Sequence, residues 1–237
     1  PSQLIAAHHS AAAASVDQAK ITISRPLLIA IGAALIDTLV GVGAIVYYST
    51  DVFAMAGVGG HSGAEVASLS IGLINVISTV AAVRLLGRYG RRPLLTVGLT
   101  GIVLALVTTG CSLLWPAPGA WIVTIAAMLV FMACHAFSAG PIGWLLVAEV
   151  LPARIRSRGS AVAIGANWSA TLLVTLLFPV LVGSPGSPDR AALGFFIFAV
   201  ITIGFLIFVR VCVPETKGLT LDEVEATLAG HHKKAKQ

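Results

Sequence analysis

Two side chains stand where an apolar chain rarely places them. Asp37 is the one acid at the centre of any long apolar run, and His135 lies at a similar depth in another run. A charged group at the middle of a bilayer costs roughly 2.5–3.5 kcal/mol on insertion scales, so such residues mostly face water or a partner and mark ion or solute routes. A carboxylate and an imidazole can together hold and release a proton, which makes Asp37 and His135 candidates for proton coupling. The plainer alternative is a helix–helix hydrogen bond from His135 and a neutral, buried Asp37. A second group is basic. Gly87-Arg88-Tyr89-Gly90-Arg91-Arg92-Pro93 places arginines in a glycine-hinged loop between apolar runs. Arginines paired with carboxylates at helix ends would form a latch that can be made and broken. Topology control is the simpler reading of the same loop.

Other chemistries find no support. No serine or cysteine has the surroundings of a nucleophile elbow, no HExxH helix occurs, and no GxxxxGK[ST] phosphate loop is present. Cys111, Cys134 and Cys212 fall in apolar runs without CxxC spacing, so neither a disulfide framework nor a metal site is read from them. His231-His232 beside Lys233 and Lys234 reads as a solvated basic end. The expectation is a protein that is not an enzyme, with no metal and no cofactor.

The elements that would position these residues follow from composition. The 237 residues are 57% hydrophobic and 11% charged, whereas a soluble domain carries about 25% charged residues. So few charges cannot cover a water-facing surface, and most of the chain must face lipid or other helices. Six apolar runs, at about 27–49, 64–86, 93–114, 121–148, 160–182 and 191–213, are each long enough to cross about 30 Å of hydrocarbon as a helix. They lack the period-two alternation of a barrel strand, and helices close their backbone hydrogen bonds within one segment. The expected fold is therefore all-α and membrane-embedded.

Connectors rich in glycine, proline and polar residues occupy 50–63, 115–119 and 183–190. Gly140-Pro141 should break the fourth span, because proline removes a ladder donor and clashes with the preceding turn. Of the 15 Lys and Arg residues, Arg190 alone falls on one side of the predicted membrane. The net charge of +5 thus reads as an orientation signal rather than a nucleic-acid surface, with both ends in the cytoplasm. Residues 1–25 read as a cytoplasmic linker. Residues 26–213 read as the membrane region, and 214–237 as a cytoplasmic tail with a short amphipathic helix from Thr220 to Leu228. The N-terminal stretch does not read as a signal peptide, since its apolar core is short and its basic residues follow that core. The Ala-, Val- and Gly-rich composition points to a bacterial inner membrane.

Several motifs occur in register. They are the arginine loop at 87–93, Gly140-Pro141-Ile142-Gly143-Trp144 leading to Ala148-Glu149, and Leu151-Pro152-Ala153-Arg154-Ile155-Arg156-Ser157-Arg158-Gly159. The last span leaves through Pro214-Glu215-Thr216-Lys217-Gly218. With Tyr47-Tyr48-Ser49-Thr50, Asn75, Thr79 and Asn167-Trp168, these resemble the sugar porter branch of the major facilitator superfamily, over about Arg25 to Leu228. The resemblance implies that the six spans form the C-terminal half of a twelve-helix transporter, helices seven to twelve. The N-terminal half would supply the other wall of a midplane cavity, and this half alone would not transport.

The resemblance further implies a carrier for a sugar, polyol or similar small hydroxylated solute, with protons as the candidate coupling ion. Asn75, Trp144, Asn167 and Trp168 are its implied solute contacts. Amides both donate and accept to hydroxyls, and indoles offer apolar faces to a ring. Glu149 looks like the carboxylate that pairs with Arg91, Arg92 or Arg156. Glu215 looks like a second one, and Arg88 belongs to the same gate. The chain departs from the family at Asp37-Thr38, where a Gln pair is usual, and at Gly43, where an Asn is usual. It departs again at Gly87, Ala136 and Gly143. Asp37, Thr38 and His135 are taken as solute-site candidates in place of the missing amides. Two further alternatives stand: a transport-inactive sensor on the same scaffold, and a superfamily carrier for a non-sugar solute.

Overall fold

The protein is described by a computed structural model covering residues 25–55, 60–115, 117–182, 187–219 and 223. The expected linker and tail helix lie, but for Arg25 and Glu223, outside the described residues.

Among the described residues eight helices have defined bounds and no strand is present: α1 (Arg25–Leu39), α2 (Val42–Met55), α3 (Gly60–Arg88), α4 (Arg91–Leu114), α5 (Ala120–Phe137), α6 (Ala139–Val150), α7 (Arg156–Val182) and α8 (Pro188–Cys212). They make six segments long and apolar enough to cross a membrane. The first span is α1 with α2, and the fourth is α5 with α6. The broken spans are the first of each consecutive three, as an internal repeat requires. The connector expected at 50–63 is helical at both ends, since α2 runs to Met55 and α3 starts at Gly60.

Each break has a local cause. Gly41 has φ 95°, a left-handed conformation that glycine alone adopts readily. Its N–H turns back to Thr38 O at 3.1 Å, which frees the Asp37 carbonyl from the ladder. In the fourth span Ser138 N–H likewise donates to His135 O at 3.2 Å, and α6 restarts with Pro141 in its first turn, where a missing N–H does little harm. The expected Gly-Pro break is thus present, just ahead of the pair itself. Pro179 inside α7 frees the Thr175 carbonyl, and the Tyr48 hydroxyl donates to it at 3.1 Å. Ser187 caps α8 by accepting from Arg190 N–H at 3.3 Å, with Pro188 at the first turn.

The core lies where α4 packs on α5 and α8, around Leu95, Leu99, Ile102 and Met128, and where α1 packs on α6 and α7. Lipid gives no hydrophobic drive between helices, so close packing must hold them. Gly98 lets α4 lie against α5: a Cβ there would stand 1.8 Å from Ser138 Oγ. Gly143 does the same for α6, where a Cβ would stand 2.8 Å from the Ala33 carbonyl of α1. Coverage is uneven. Only 22% of the second span and 22% of the fifth is buried, against 56% of the first.

Candidate functional site

A cavity of about 350 Å³ opens beside the break in the first span, within the size range of small-molecule sites. Its polar wall is Asp37 and Thr38 from α1, Tyr47 from α2, Trp144 from α6, and Asn167, Trp168 and Thr171 from α7. Val42, Val46 and Val174 form the apolar part. Five of the seven solute-site candidates named from sequence thus share one cavity: Asp37, Thr38, Trp144, Asn167 and Trp168.

Asn167 is buried, and it joins the first span to the fifth. Its Nδ2 donates to Ala34 O at 2.7 Å and to Thr38 Oγ1 at 2.9 Å. Because a carbonyl can only accept, this fixes the amide's orientation. Thr171 Oγ1 donates to Asn167 O at 3.0 Å, so in the 2.9 Å contact between the two threonine hydroxyls Thr38 must donate. Asn167, Thr38 and Thr171 close a ring of mutually polarising hydrogen bonds. What Asn167 can offer a solute is its acceptor, Oδ1. Gly43 stands where the family usually has Asn; a Cβ there would meet nothing closer than 3.8 Å, so glycine widens the cavity.

His135 stands behind Asp37 rather than on the cavity wall. Its Nε2 lies 3.1 Å from Asp37 Oδ1 and 3.2 Å from the Asp37 carbonyl. Asn75 does not join the site. It is half-buried on α3, where Thr79 Oγ1 donates to its Oδ1 at 3.3 Å. Thr171 carries part of the site but was not singled out from sequence. Its signal was there, one helical turn beyond Asn167 and on the same face.

At the arginine-rich end, Arg91 Nη2 donates to Glu149 Oε1 at 2.9 Å, and Thr216 Oγ1 donates to Glu149 Oε2 at 2.5 Å. Of the three cations considered for Glu149, the structure selects Arg91. Arg92 reaches the Arg210 carbonyl, and Arg156 Nε donates to Leu151 O at 3.2 Å. Arg156 Nη2 and Arg91 Nε are buried without a hydrogen-bond partner. Arg88 contributes its carbonyl, which accepts from Lys217 Nζ at 2.7 Å.

Glu215 acts differently from the expected ion pair: its carboxylate caps the start of α4. It accepts from Arg91 N–H at 2.9 Å, Arg92 N–H at 3.1 Å and Lys217 N–H at 3.0 Å. An anion at this end is favoured by the helix dipole and by the free N–H groups. Gly90 has an ordinary φ of −71°, so it is needed for space: a Cβ would stand 2.3 Å from Glu215 Oε2. Gly90→Ala should therefore expel the carboxylate and lower stability by about 1–2 kcal/mol, the usual worth of a cap. Thermal unfolding of Gly90→Ala, Glu215→Ala and the double variant checks this. The double variant should fall no further than Glu215→Ala alone.

Six membrane-length helices, two of them broken at mid-span, make a multi-pass membrane bundle with a cavity at the break of the first span. The fold matches the proton:xylose symporter XylE of the major facilitator superfamily, bound to 6-bromo-6-deoxy-D-glucose, with TM-score 0.75 and 29% identity over 85% of this chain and 42% of that one. The family model described as "Sugar (and other) transporter" matches residues 3–228. The chain belongs to that family and is an integral, multi-pass membrane protein. It is 36% identical over 210 residues to D-xylose-proton symporter-like 1 of Arabidopsis thaliana, covering 85% of this chain and 39% of that one. It is 35% identical over 198 residues to the glucose facilitated diffusion protein of Zymomonas mobilis, covering 82% and 41%. The chain thus spans about two-fifths of the length of these relatives.

Proposed function

We propose that this chain is one half of a secondary carrier that moves a sugar, polyol or similar hydroxylated solute, unchanged, by rocking against a second six-helix half. The observation that carries the reading is the cavity wall: Asn167, Thr38 and Thr171 are hydrogen-bonded beside Trp144 and Trp168, at the break of the first span. Hydroxyl and amide groups match sugar hydroxyls, and the indoles match the ring's apolar face. The second and fifth spans are little buried, which leaves a surface for the other half. The arginine-rich end faces the cytoplasm of a bacterial inner membrane. The ties among Arg91, Glu149, Thr216 and Glu215 latch that end and loosen as the halves rock.

Two measurements on the full-length protein in proteoliposomes test this: counterflow of labelled D-xylose or glucose, and equilibrium binding. Saturable counterflow supports the carrier. Binding without flux supports a sensor on the same scaffold, and neither supports a carrier for another solute. Asn167→Ala opens the hydrogen-bonded ring and removes an acceptor. It should raise the half-saturation concentration about 10- to 100-fold, the scale of one or two lost buried hydrogen bonds, as read from initial rates of uptake.

A further inference from the structure

We infer that Asp37 and His135 form a proton-binding site built into this half, an inference that rests on the transport reading above and names its coupling ion. The geometry points to it through one nitrogen. His135 Nε2 faces two oxygens of the same residue, Asp37 Oδ1 at 3.1 Å and the Asp37 carbonyl at 3.2 Å. The carbonyl is available because Gly41 N–H has turned away to Thr38. A carbonyl can only accept, so the contact with the Asp37 carbonyl puts a hydrogen on Nε2. That leaves two sites for an extra proton: the second carboxylate oxygen and Nδ1 of the ring. With both bare the pair carries one negative charge.

Nothing on the cavity wall balances that charge. Asp37 lines the cavity, and none of the other lining residues is a lysine, arginine or histidine. Tyr47 is the one other titratable group on the wall. On the elements packed around the pair, Cys134 lies against Gly101 of α4. Asp51 of α2, and Glu65 and Arg84 of α3, are exposed. Glu149 and Arg156 belong to the arginine-rich cluster. An uncompensated carboxylate at this depth is costly, and a proton taken from cavity water removes the charge. No other bond is made or broken in that step.

The pair also sits where a change of charge can move helices. Asp37 precedes the break in the first span, and His135 precedes the break in the fourth. Phe131 stacks on the imidazole, with ring centroids 6.2 Å apart and planes within 6°. Gly140 is close enough that a Cβ would stand 3.3 Å from the ring. The imidazole is thus held in place between the two breaks. Protonation changes the strength of the brace across them, and by linkage the arrangement of the helices changes the affinity for the proton.

The test uses the full-length protein in proteoliposomes, a pH-reporting dye and labelled D-xylose or glucose as probes. The wild type should take up protons with the sugar, and an inward proton gradient should accumulate sugar at least tenfold. Asp37→Asn and His135→Gln should each bring accumulation down to equilibration and abolish proton uptake with the sugar. The glutamine amide can still donate to Asp37 but cannot titrate, so a merely structural role for His135 would leave coupling in place. Net sugar uptake by the wild type without proton uptake overturns the inference alone, and this reading needs no variant to fold. Full accumulation in either variant also overturns it. So does proton-independent uptake of a solute bearing an ammonium, such as glucosamine, which would make Asp37 the solute's own counter-charge. Absence of counterflow with both D-xylose and glucose removes the sugar-transport reading, and this inference with it.

Discussion

Gly98→Val is expected to lower the unfolding temperature of the purified protein by about 10 °C. A Cβ at residue 98 would stand 1.8 Å from Ser138 Oγ and 2.3 Å from Ser138 Cβ, with the Cys134 carbonyl at 3.2 Å. None of these is the far end of a flexible side chain. Ser138 is fully buried, and its hydroxyl already donates to Cys134 O at 2.6 Å. The variant must push α4 away from α5, and with it the α4–α8 core. Overpacking costs about 1–3 kcal/mol and occasionally more, and each kcal/mol moves a domain of this size by about 2–4 °C. Gly72→Ala is the matching control, because a Cβ there meets nothing within 4 Å. It should leave the unfolding temperature unchanged or slightly raised. Adding Ser138→Gly to Gly98→Val should recover part of the loss. If Gly98→Val melts with the wild type, the packing of α4 on α5 described above is wrong.

Glu149→Ala is expected to slow maximal transport by about 100-fold. The carboxylate ties three places together: Arg91 at the start of α4, its own position at the end of α6, and Thr216 beyond α8. Both partners of the ion pair are mostly buried, with side-chain exposures of 18% and 20%. Arg91 Nε already lacks a partner, so losing Glu149 strips the guanidinium of its counter-charge. Removing one member of a buried pair costs about 3 kcal/mol at the low end of measured values, which is about two orders of magnitude in an equilibrium. Initial uptake rates at saturating sugar read this directly. Glu149→Gln keeps an acceptor for Arg91 and should fall less far. Arg91→Ala combined with Glu149→Ala should lose less than the sum of the two, since each removes the same tie.

The membrane character and the six spans were legible in the sequence because lipid imposes a composition and a length that few other environments do. Their ends were less so. Arg25, Arg88, Arg91 and Arg156 lie inside helices, since a helix continues through the interface after the apolar run stops; Arg91 and Arg156 there reach the Glu149 carboxylate and the Leu151 carbonyl. The break near Gly140-Pro141 could be read from proline chemistry. The break at Gly41 could not, since a glycine in an apolar run announces neither a positive φ nor the Phe198 ring that lies against it. The site shows the same division. Residues were nameable one by one, from charge at depth or from the family resemblance, but their partners lie far apart along the chain. His135 meets Asp37, and Asn167 meets Thr38, only once the helices pack. Asn75 was expected beside them, yet α3 packs chiefly on α2 and α5, and Asn75 is not on the cavity wall. The motif at Glu215 was visible, while its role as a helix cap depended on Gly90 leaving room for a carboxylate.

The most direct test of the carrier reading is solvent access at Thr171, on the wall of the cavity. Thr171→Cys is made in full-length protein with Cys111, Cys134 and Cys212 replaced by serine, and labelled with an impermeant thiol reagent from either face of the membrane. Alternating access requires reaction from both faces, slowed about tenfold from each by sugar at ten times its Kd, as occupancy alone requires. Reaction from one face only, at a rate that sugar does not change, would contradict it.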